Sequence, residues 1–349
     1  MDDSQLKVIC LTPVKNEEWI LERFLKATSL WADHIILADQ GSTDRSVEIA
    51  KKFPKVILVE NRDTEFSEYN RQQLLLNKSR EIHGRKLLIA LDADEFFTAN
   101  IFTSPEWQTV LNADPGTFVR INWIHPFSRF DEAAEDIKVD YGVGYMDDGH
   151  PFTVKSAIHN PRLPIPGTGQ HIFLHSIKLL HYNLIDFDRD RSKKRWYIAW
   201  EFLQRPDKAY QINRSYIHHH LLGKTLSFNR EWIRAYEDAG IDMTSLKRSS
   251  LHFEFTNANV TKWNLEYEYW WDEEILKWMK SEGAKKFSKL DIWDKDWEMW
   301  GKIRFGPQTD FKRRASLKTR LILNFIRRTP NPRNNFFIEW LDGIMESIY

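Results

Sequence analysis

The sequence predicts an α/β fold built on a mostly parallel, Rossmann-like sheet, and two observations predict it. Short apolar runs alternate with helix-period segments through the first quarter of the chain, and a cluster of polar residues follows each apolar run. Lys7 to Thr12 (KVICLT) is β-branched and apolar and stops at Pro13, as in a strand covered on both faces. From Glu17 to Trp31, Leu21, Phe24, Leu25 and Thr28 recur at three- and four-residue spacing after acidic residues, which predicts an amphipathic helix. His34 to Asp39 is the second strand, and Gly41-Ser42-Thr43-Asp44 turns the chain into a helix ending near Lys52, with Ser42 or Thr43 as its cap. Lys55 to Val59, a helix over Ser67 to Ile82, and Lys86 to Leu91 complete the alternation.

Beyond Asp94 the pattern loosens. A helix is expected over Ser104 to Ala113, a strand over Thr117 to Trp123, and a long polar connection from Ser128 to Gly149, of the kind that is usually functional. Later strands are expected at Thr153 to Ile158 and Ile172 to Leu180, around a proline and glycine cluster (Pro161, Pro164, Pro166, Gly167, Gly169) that reads as a loop. From Arg189 onward the chain reads as helical, through Trp196 to Gln204, Phe228 to Ala239, Leu265 to Lys280 and Phe311 to Arg328. Most of the 15 tryptophans fall in that later part. The expected organisation is therefore an α/β domain over 1–185 and a helical, Trp-rich accessory region over 186–349.

With 349 residues the chain can bury a large core. Fifty basic and 50 acidic side chains cancel, so no global field recruits nucleic acid. The single cysteine, Cys10, excludes an internal disulfide framework and suits a reducing compartment. Met1-Asp2-Asp3-Ser4-Gln5 lacks the basic-then-apolar order of a signal peptide, and no apolar run approaches the roughly 20 residues of a membrane span. A cytoplasmic protein, peripheral at the inner face of a membrane, is the expectation.

In an open α/β sheet, ligands bind beyond the carboxyl ends of the strands. Four polar clusters belong there: Pro13 to Glu17, Asp39 to Asp44, Asn61-Arg62-Asp63 and Asp92-Ala93-Asp94-Glu95. No Gly-x-Gly-x-x-Gly and no Gly-Lys-Ser/Thr loop is present, which disfavours dinucleotide enzymes and P-loop nucleotidases. Asp92 and Asp94, two apart at a strand end, can aim two carboxylates at one divalent ion, and hard oxygen donors suit Mg or Mn. Such an ion would neutralise charge developing on a diphosphate leaving group.

The combination closely resembles the family 2 glycosyltransferases, whose catalytic domain has the GT-A fold. Thr12-Pro13-Val14-Lys15-Asn16-Glu17, Asp39-Gln40-Gly41-Ser42-Thr43-Asp44 and Leu91-Asp92-Ala93-Asp94-Glu95 carry the resemblance over residues 6 to 98, and Leu179-Leu180-His181-Tyr182-Asn183 resumes it. The spacer Trp31 to Leu37 resembles members that build lipopolysaccharide cores and related surface glycans. The resemblance implies an inverting transfer from a nucleoside diphosphate sugar to a glycan or lipid-linked acceptor. Pro13 and Glu17 would line the nucleotide pocket, Asp39 would accept from the base, and Asp92 would lie near ribose and metal. Asp94 would be the metal ligand and His181 an additional one.

Two departures stand out. The related enzymes carry Arg-Asn after the third strand where this chain has Asn70-Arg71, so Arg71 remains a nucleotide-binding candidate in reversed order. They also carry a His-Glu pair where this chain has Gln170-His171. An inverting reaction needs a proton acceptor within hydrogen-bond reach, and the candidates are His171 by position and Asp148 by residue type, with Asp147 beside it.

Arg191, Lys193, Lys194 and Arg195 either screen a leaving diphosphate or form a solvated helix face. His218-His219-His220 point in different directions on a helix and read as surface or partly buried. The tryptophans at 263, 270, 271, 278, 293, 297 and 300 read as packing between helices, with an aromatic acceptor face as the sharper alternative. Between Phe311 and Arg328 seven basic residues (Lys312, Arg313, Arg314, Lys318, Arg320, Arg327, Arg328) flank Leu317, Leu321, Ile322, Leu323, Phe325 and Ile326. That segment is either a membrane-surface helix or an ordinary docking helix. The competing functions are a nucleotidyltransferase, which would carry a glycine-rich, lysine-bearing loop after the first strand, and a degenerate transferase serving as a membrane scaffold.

Overall fold

The computed structural model describes residues 5–63, 65–136, 141–165, 169–217, 224–245, 269–293, 297, 317–328 and 336–348. The chain has a mixed α/β architecture. Strands β1 (Lys7–Val14), β2 (His34–Asp39), β3 (Val56–Glu60) and β4 (Lys86–Ala90) are linked by helices α1 (Glu18–Thr28), α2 (Ser46–Ala50) and α3 (Glu68–Arg80). They lie side by side and parallel in the order β4-β1-β2-β3.

Alternation along β1 sends residues to two different cores. Val8, Cys10 and Val14 pack with Leu21, Phe24 and Leu25 of α1, whereas Ile9 and Leu11 pack with Leu75 and Leu76 of α3. Burial on both faces is why the strand reads as an unbroken apolar run. Each fully covered side chain of this size contributes about 1.5–3 kcal/mol.

After β4 the chain adds β5 (Glu95–Phe97), a 3-10 turn over Ala99–Phe102, α4 (Pro105–Leu111), β6 (Phe118–Pro126), β7 (Glu132–Glu135), β8 (Tyr141–Met146) and β9 (His171–His181). The ten-stranded sheet runs β10-β7-β6-β8-β4-β1-β2-β3, with β10 at Lys224–Ser227, and β9 pairs with β5 and β6. Parallel at its centre, the sheet turns mixed beyond β4, where β8 runs antiparallel to β4 and β6.

Three expectations are corrected here. The polar connection Ser128 to Gly149 contains two strands, β7 and β8. Tyr-Gly-Val-Gly-Tyr in β8 looks like a loop, but a side chain at Gly142 would have its Cβ 2.2 Å from the Phe118 ring, so the glycine permits close strand packing. Thr153 to Ile158 is not a strand. Its backbone serves α3 instead: the N–H groups of Glu68 and Tyr69 donate to the carbonyls of Ala157 and Ser156 at 2.9 and 3.2 Å, and Asn160 Oδ1 accepts from Ser156 N–H at 3.0 Å. The expected helix Phe228 to Ala239 is only a 3-10 turn, Arg230–Trp232, followed by α7 (Arg234–Asp238).

The chain divides into two compact units, Met1–Asp186 with Gly223–His252, and Phe187–Leu222 with Phe253–Tyr349. The sequence boundary at 185/186 thus misses a return segment. In that segment β10 (Lys224–Ser227) pairs antiparallel with β7, Tyr182 Oη donates to the Met243 carbonyl at 3.1 Å, and Arg23 Nε donates to the Asp242 carbonyl at 2.6 Å.

The second unit is helical. It holds α5 (Phe187–Gln204), α6 (Ala209–Ile217), α8 (Trp270–Glu282), α9 (Leu317–Arg328) and α10 (Phe336–Ile348). Trp196 sits against Trp200, Trp270 and Trp278, so these indoles pack helices together. Arg195 is buried against Asp272 at 3.2 Å, and Lys194 pairs with Asp190 at 2.5 Å within α5. His218, His219, His220, Trp263, Trp300, Lys312, Arg313 and Arg314 lie outside the described residues.

Candidate active site

The loops after β1 and β2 are fastened to each other by side chains. Asn16 takes a left-handed conformation (φ 56°), which asparagine tolerates better than most residues. Its Oδ1 accepts from Thr43 N–H at 2.7 Å and its own N–H donates to Ser42 Oγ at 2.9 Å. The first N–H groups of α1, on Glu17 and Glu18, donate to Ser46 Oγ at 2.8 Å and Asp44 Oδ2 at 3.0 Å, which caps α1 from across the loop. Pro13 is half-buried and registers with Ala38 between β1 and β2. The Glu17 carboxylate accepts from the Trp19 indole at 2.7 Å. Asp39 is buried at the end of β2, and its carboxylate accepts from the N–H groups of Gly41 at 3.2 Å and Ser42 at 3.3 Å. The Asn-Glu and Gly-Ser-x-Asp motifs are thus one structural clasp.

The acidic motif follows β4 as a tight turn. Glu95 N–H donates to the Asp92 carbonyl at 3.0 Å, and Asp92 N–H donates to Glu95 Oε2 at 3.0 Å. Arg162 bridges the two acids, with Nη2 2.9 Å from Asp92 Oδ2 and Nη1 2.5 Å from Glu95 Oε2. Burial pushes the Glu95 carboxyl up and Arg162 opposes that. Burial works against the Arg162 charge, but Asp92 and Glu95 outweigh it and hold the guanidinium charged well above its ordinary range. Two neighbours place Arg162. Leu163 is buried in the α3 core, and Asn160 N–H donates to Glu68 Oε2 at 2.9 Å.

Asp94 meets a different partner, His181. The β5–β9 ladder sets Glu95 opposite His181, and Tyr182 N–H donates to the Asp94 carbonyl at 2.8 Å. This register brings His181 Nε2 to 3.6 Å from Asp94 Oδ2. Both imidazole nitrogens of His181 are buried without a hydrogen-bond partner, a state that costs about 1–3 kcal/mol if nothing else binds them. Around the ring stand Trp123 at 4.6 Å and His125 at 5.1 Å between centroids. Tyr141 stacks on Trp123 at 3.3 Å, and Tyr141 Oη donates to Asp136 Oδ2 at 3.5 Å. Burial foremost, then Asp136, pushes the Tyr141 hydroxyl well above its ordinary range, so it stays protonated. His125 Nδ1 lies 2.8 Å from Asn183 Oδ1.

Arg71, on the first turn of α3, lies 3.6 Å from Glu68 Oε1 and over the Phe66 ring at 5.6 Å. Its Nε is buried without a hydrogen-bond partner. Through Glu68 and Asn160, Arg71 joins the segment that carries Arg162.

His171 and Asp148 are not brought to this edge. Asp147 N–H donates to the carbonyl of Lys86, the first residue of β4, and His171 registers with Phe118 at the start of β6. Asp148 accepts from the Tyr145 hydroxyl and from His150 N–H, and Asp147 pairs with Arg80 at 2.8 Å. His171 and His181 are opposite ends of β9, which pairs with β6 from Phe118 to Ile124, so they lie roughly 20 Å apart. The structure therefore brings neither His171 nor Asp148 to Asp94. An extended strand carries the chain away from the His181 segment, so nearness in sequence is not proximity here.

Sequence reading also missed Arg162, Trp123, His125, Asp136 and Tyr141. One signal for Arg162 was available: three acids in four residues at a buried strand end need a counter-cation, and Pro161-Arg162-Leu163-Pro164 offers one between rigid prolines.

The family model described as glycosyl transferase family 2 matches residues 9–104, from β1 to the residue before α4. This stretch is similar to glycosyl transferase family 2. The match covers the clasp, the acidic turn and β5, and stops before Trp123, Arg162 and His181. No curated protein sequence matches the chain significantly. Among solved structures, glucosyl-3-phosphoglycerate synthase from Mycobacterium tuberculosis in complex with Mn2+, uridine diphosphate and phosphoglyceric acid aligns at 17% identity and a TM-score of 0.27, over 36% of this chain and 45% of that one. The inositol-1-phosphate CTP transferase from T. maritima aligns at 8% identity and a TM-score of 0.28, over 51% of this chain and 89% of that one. A 4-diphosphocytidyl-2C-methyl-D-erythritol synthase aligns at 13% identity and a TM-score of 0.28, over 40% and 74%. The matched part spans less than half the length of the synthase. Likeness this slight says nothing of this chain's ligands.

A divalent cation needs several oxygen or nitrogen donors converging on one point. Among the described residues no group of three His, Cys, Asp or Glu side chains is close enough to hold one. The Asp94–His181 pair nevertheless fits a two-ligand protein contribution, because a buried imidazole with both nitrogens unsatisfied is a ready donor beside a carboxylate. Asp92 is the poorer donor, since Arg162 holds its carboxylate.

Proposed function

We propose that this chain is an inverting glycosyltransferase that moves a sugar from a nucleoside diphosphate donor to a glycan or lipid-linked acceptor, with Mn or Mg held by Asp94 and His181. The observation that carries this reading is the unsatisfied His181 imidazole 3.6 Å from Asp94, at the edge where the family 2 motifs converge. When bound, the cation supplies Lewis-acid stabilisation of the leaving diphosphate.

The chain's own residues do the rest. Asp39, with Pro13 and Glu17 nearby on the clasp, lies where a nucleoside would be read, and the orphaned Nε of Arg71 offers a donor to it or to its phosphates. Arg162 holds Asp92 and Glu95 in place, so Asp92 can meet a ribose hydroxyl without drifting. Trp123 and Tyr141 give a rigid aromatic wall for an acceptor ring. Asp136, beside that wall, takes the proton-acceptor role that His171 and Asp148 cannot reach. The 1–185 region with its return segment forms the catalytic unit, and the helical remainder is accessory, in contact with a membrane surface. A cytoplasmic location at the inner face of the membrane is part of the same proposal.

Calorimetric titration of UDP, GDP, dTDP and CDP with Mn and with chelator tests it. One nucleotide should bind to wild type only with metal, and Asp94→Ala and His181→Ala should each lose that binding. Binding of every nucleotide unchanged by metal or by either substitution would overturn the assignment. Release of pyrophosphate rather than a nucleoside diphosphate during turnover would point to nucleotidyl transfer.

A further inference from the structure

Helix α9 is apolar on two opposite sides. Ile322, Leu323 and Ile326 are buried against Tyr210 of α6, which is ordinary docking. At 100° per residue Leu317 and Leu321 fall on the far side of the helix from Ile326, and they are 66% and 61% exposed. Their flanks are basic. The segment LKTRLILNFIRR holds Lys318, Arg320, Arg327 and Arg328 and no acid, with Arg327 reaching Asp291.

Helix α10 behaves similarly on its outer side. Met345 packs with the α9 cluster, while Trp340 and Ile344, one turn apart, are 55% and 37% exposed. Four of the nine large apolar side chains exposed among the described residues therefore sit on these two helices. An isologous contact between two copies through α9 would set like charges against each other, which disfavours a second chain as the occupant. At 12 residues α9 is far short of the roughly 20 that cross a bilayer, and no described helix is long and apolar enough to do so.

We infer that the outer face of α9 docks on the surface of an anionic lipid bilayer, with Leu317 and Leu321 entering the headgroup boundary and Lys318, Arg320 and Arg328 meeting lipid phosphates. Trp340 and Ile344 of α10 add a second apolar anchor. Apolar side chains inserted below a basic rim are the pattern of an interfacial helix. A lipid-linked acceptor would then be presented to an enzyme already held at its surface. This docking is independent of the metal assignment, because none of these residues belongs to the Asp94–His181 site.

The test is co-sedimentation of the full chain with vesicles of phosphatidylcholine alone and of phosphatidylcholine with phosphatidylglycerol. Wild type should pellet with the mixed vesicles only, and less so in high salt. Each cation removed in Lys318→Gln and Arg320→Gln should weaken binding about fivefold, the equivalent of ~1 kcal/mol per basic residue near an anionic surface. The double variant Leu317→Ser, Leu321→Ser should weaken it at least about tenfold while leaving the melting temperature unchanged, since both side chains face outward. Failure of wild type to pellet, equal pelleting with neutral vesicles, or unaltered binding by both sets of variants would overturn the proposal. So would a mass in solution that halves in the leucine variant, which would assign the face to a second copy of the chain. Nucleotide titration of the same variants should be unchanged, which separates failure here from failure of the proposed reaction.

Discussion

The two edges of the first unit's sheet hold comparable sets of titratable residues and use them differently. At one edge Asp147 is neutralised by Arg80, and Asp148 is held by the Tyr145 hydroxyl and His150 N–H. Those acids are spent on structure. At the other edge Arg162 neutralises Asp92 and Glu95, while both His181 nitrogens and the Nε of Arg71 stay buried without a hydrogen-bond partner. Unmet buried polarity is costly, and its concentration at one edge marks where a ligand would repay it. The difference teaches that acids alone do not locate a site; their counter-charges and the groups left unsatisfied do.

The largest effect that would break this comparison is on stability. Arg162→Met leaves Glu95 buried without its cation, and a destabilisation of about 3–5 kcal/mol is expected in urea unfolding. Arg80→Met at the opposite edge should cost clearly less, because Arg80 is more exposed than Glu95. Equal costs would erase the distinction between the edges.

Next comes the metal pair. His181→Phe should melt higher than wild type in chelator, because an apolar ring removes an unsatisfied buried polar group, by about 1–2 kcal/mol. The same variant should lose the melting-temperature gain that wild type shows on adding Mn with nucleotide, a gain governed by linkage. A variant that destabilises in chelator would show that His181 already has its partners.

A kinetic pair sharpens the assignment of the proton acceptor. Asp136→Asn should lower kcat by about 10²–10⁴ with little change in nucleotide affinity, whereas His171→Gln and Asp148→Asn should stay within about twofold of wild type. Loss of kcat in His171→Gln would restore the opposite edge to the chemistry.

The smallest expected effect is an acid dependence. Side-chain and backbone hydrogen bonds from Ser245 hold the Asp242 carboxyl down to about 2, below its ordinary 3.8. A depressed folded-state value means stability that is present above about pH 4 and lost as pH falls through about 2. Asp242 is largely solvent-exposed, so Asp242→Asn should cost under about 1 kcal/mol at pH 6 and nothing near pH 2. Denaturant midpoints at the two pH values measure it.

How much was legible in the sequence follows from the range of each interaction. Strands β1 to β4 and helices α1 to α3 could be read because each is a local apolar pattern ended by a local turn. Asp39, Asp92 and Asp94 could be placed at strand ends because they are contiguous with those strands, and His181 could be singled out because its flanking residues repeat a family pattern. Strand β8 was hidden, since Gly142 is chosen by the ring of Phe118 and not by strand propensity. The segment 153–158 misled for the converse reason: its β-branched residues suit a strand, but its carbonyls were claimed by α3.

By itself, then, the sequence determined the parallel half of the sheet, the clasp between its first two loops and the acidic turn after its fourth strand. All of these depend on neighbours a few residues apart or on adjacent strands joined by one helix. Only the tertiary structure decided that Arg162 would lock the acidic turn, that His181 would stand beside Asp94, and that His171 would lie at the far end of the same strand. Those outcomes are set by strand register and direction across chain separations of about 70 residues or more for Arg162, and hydrophobic periodicity carries no information about register between strands that distant.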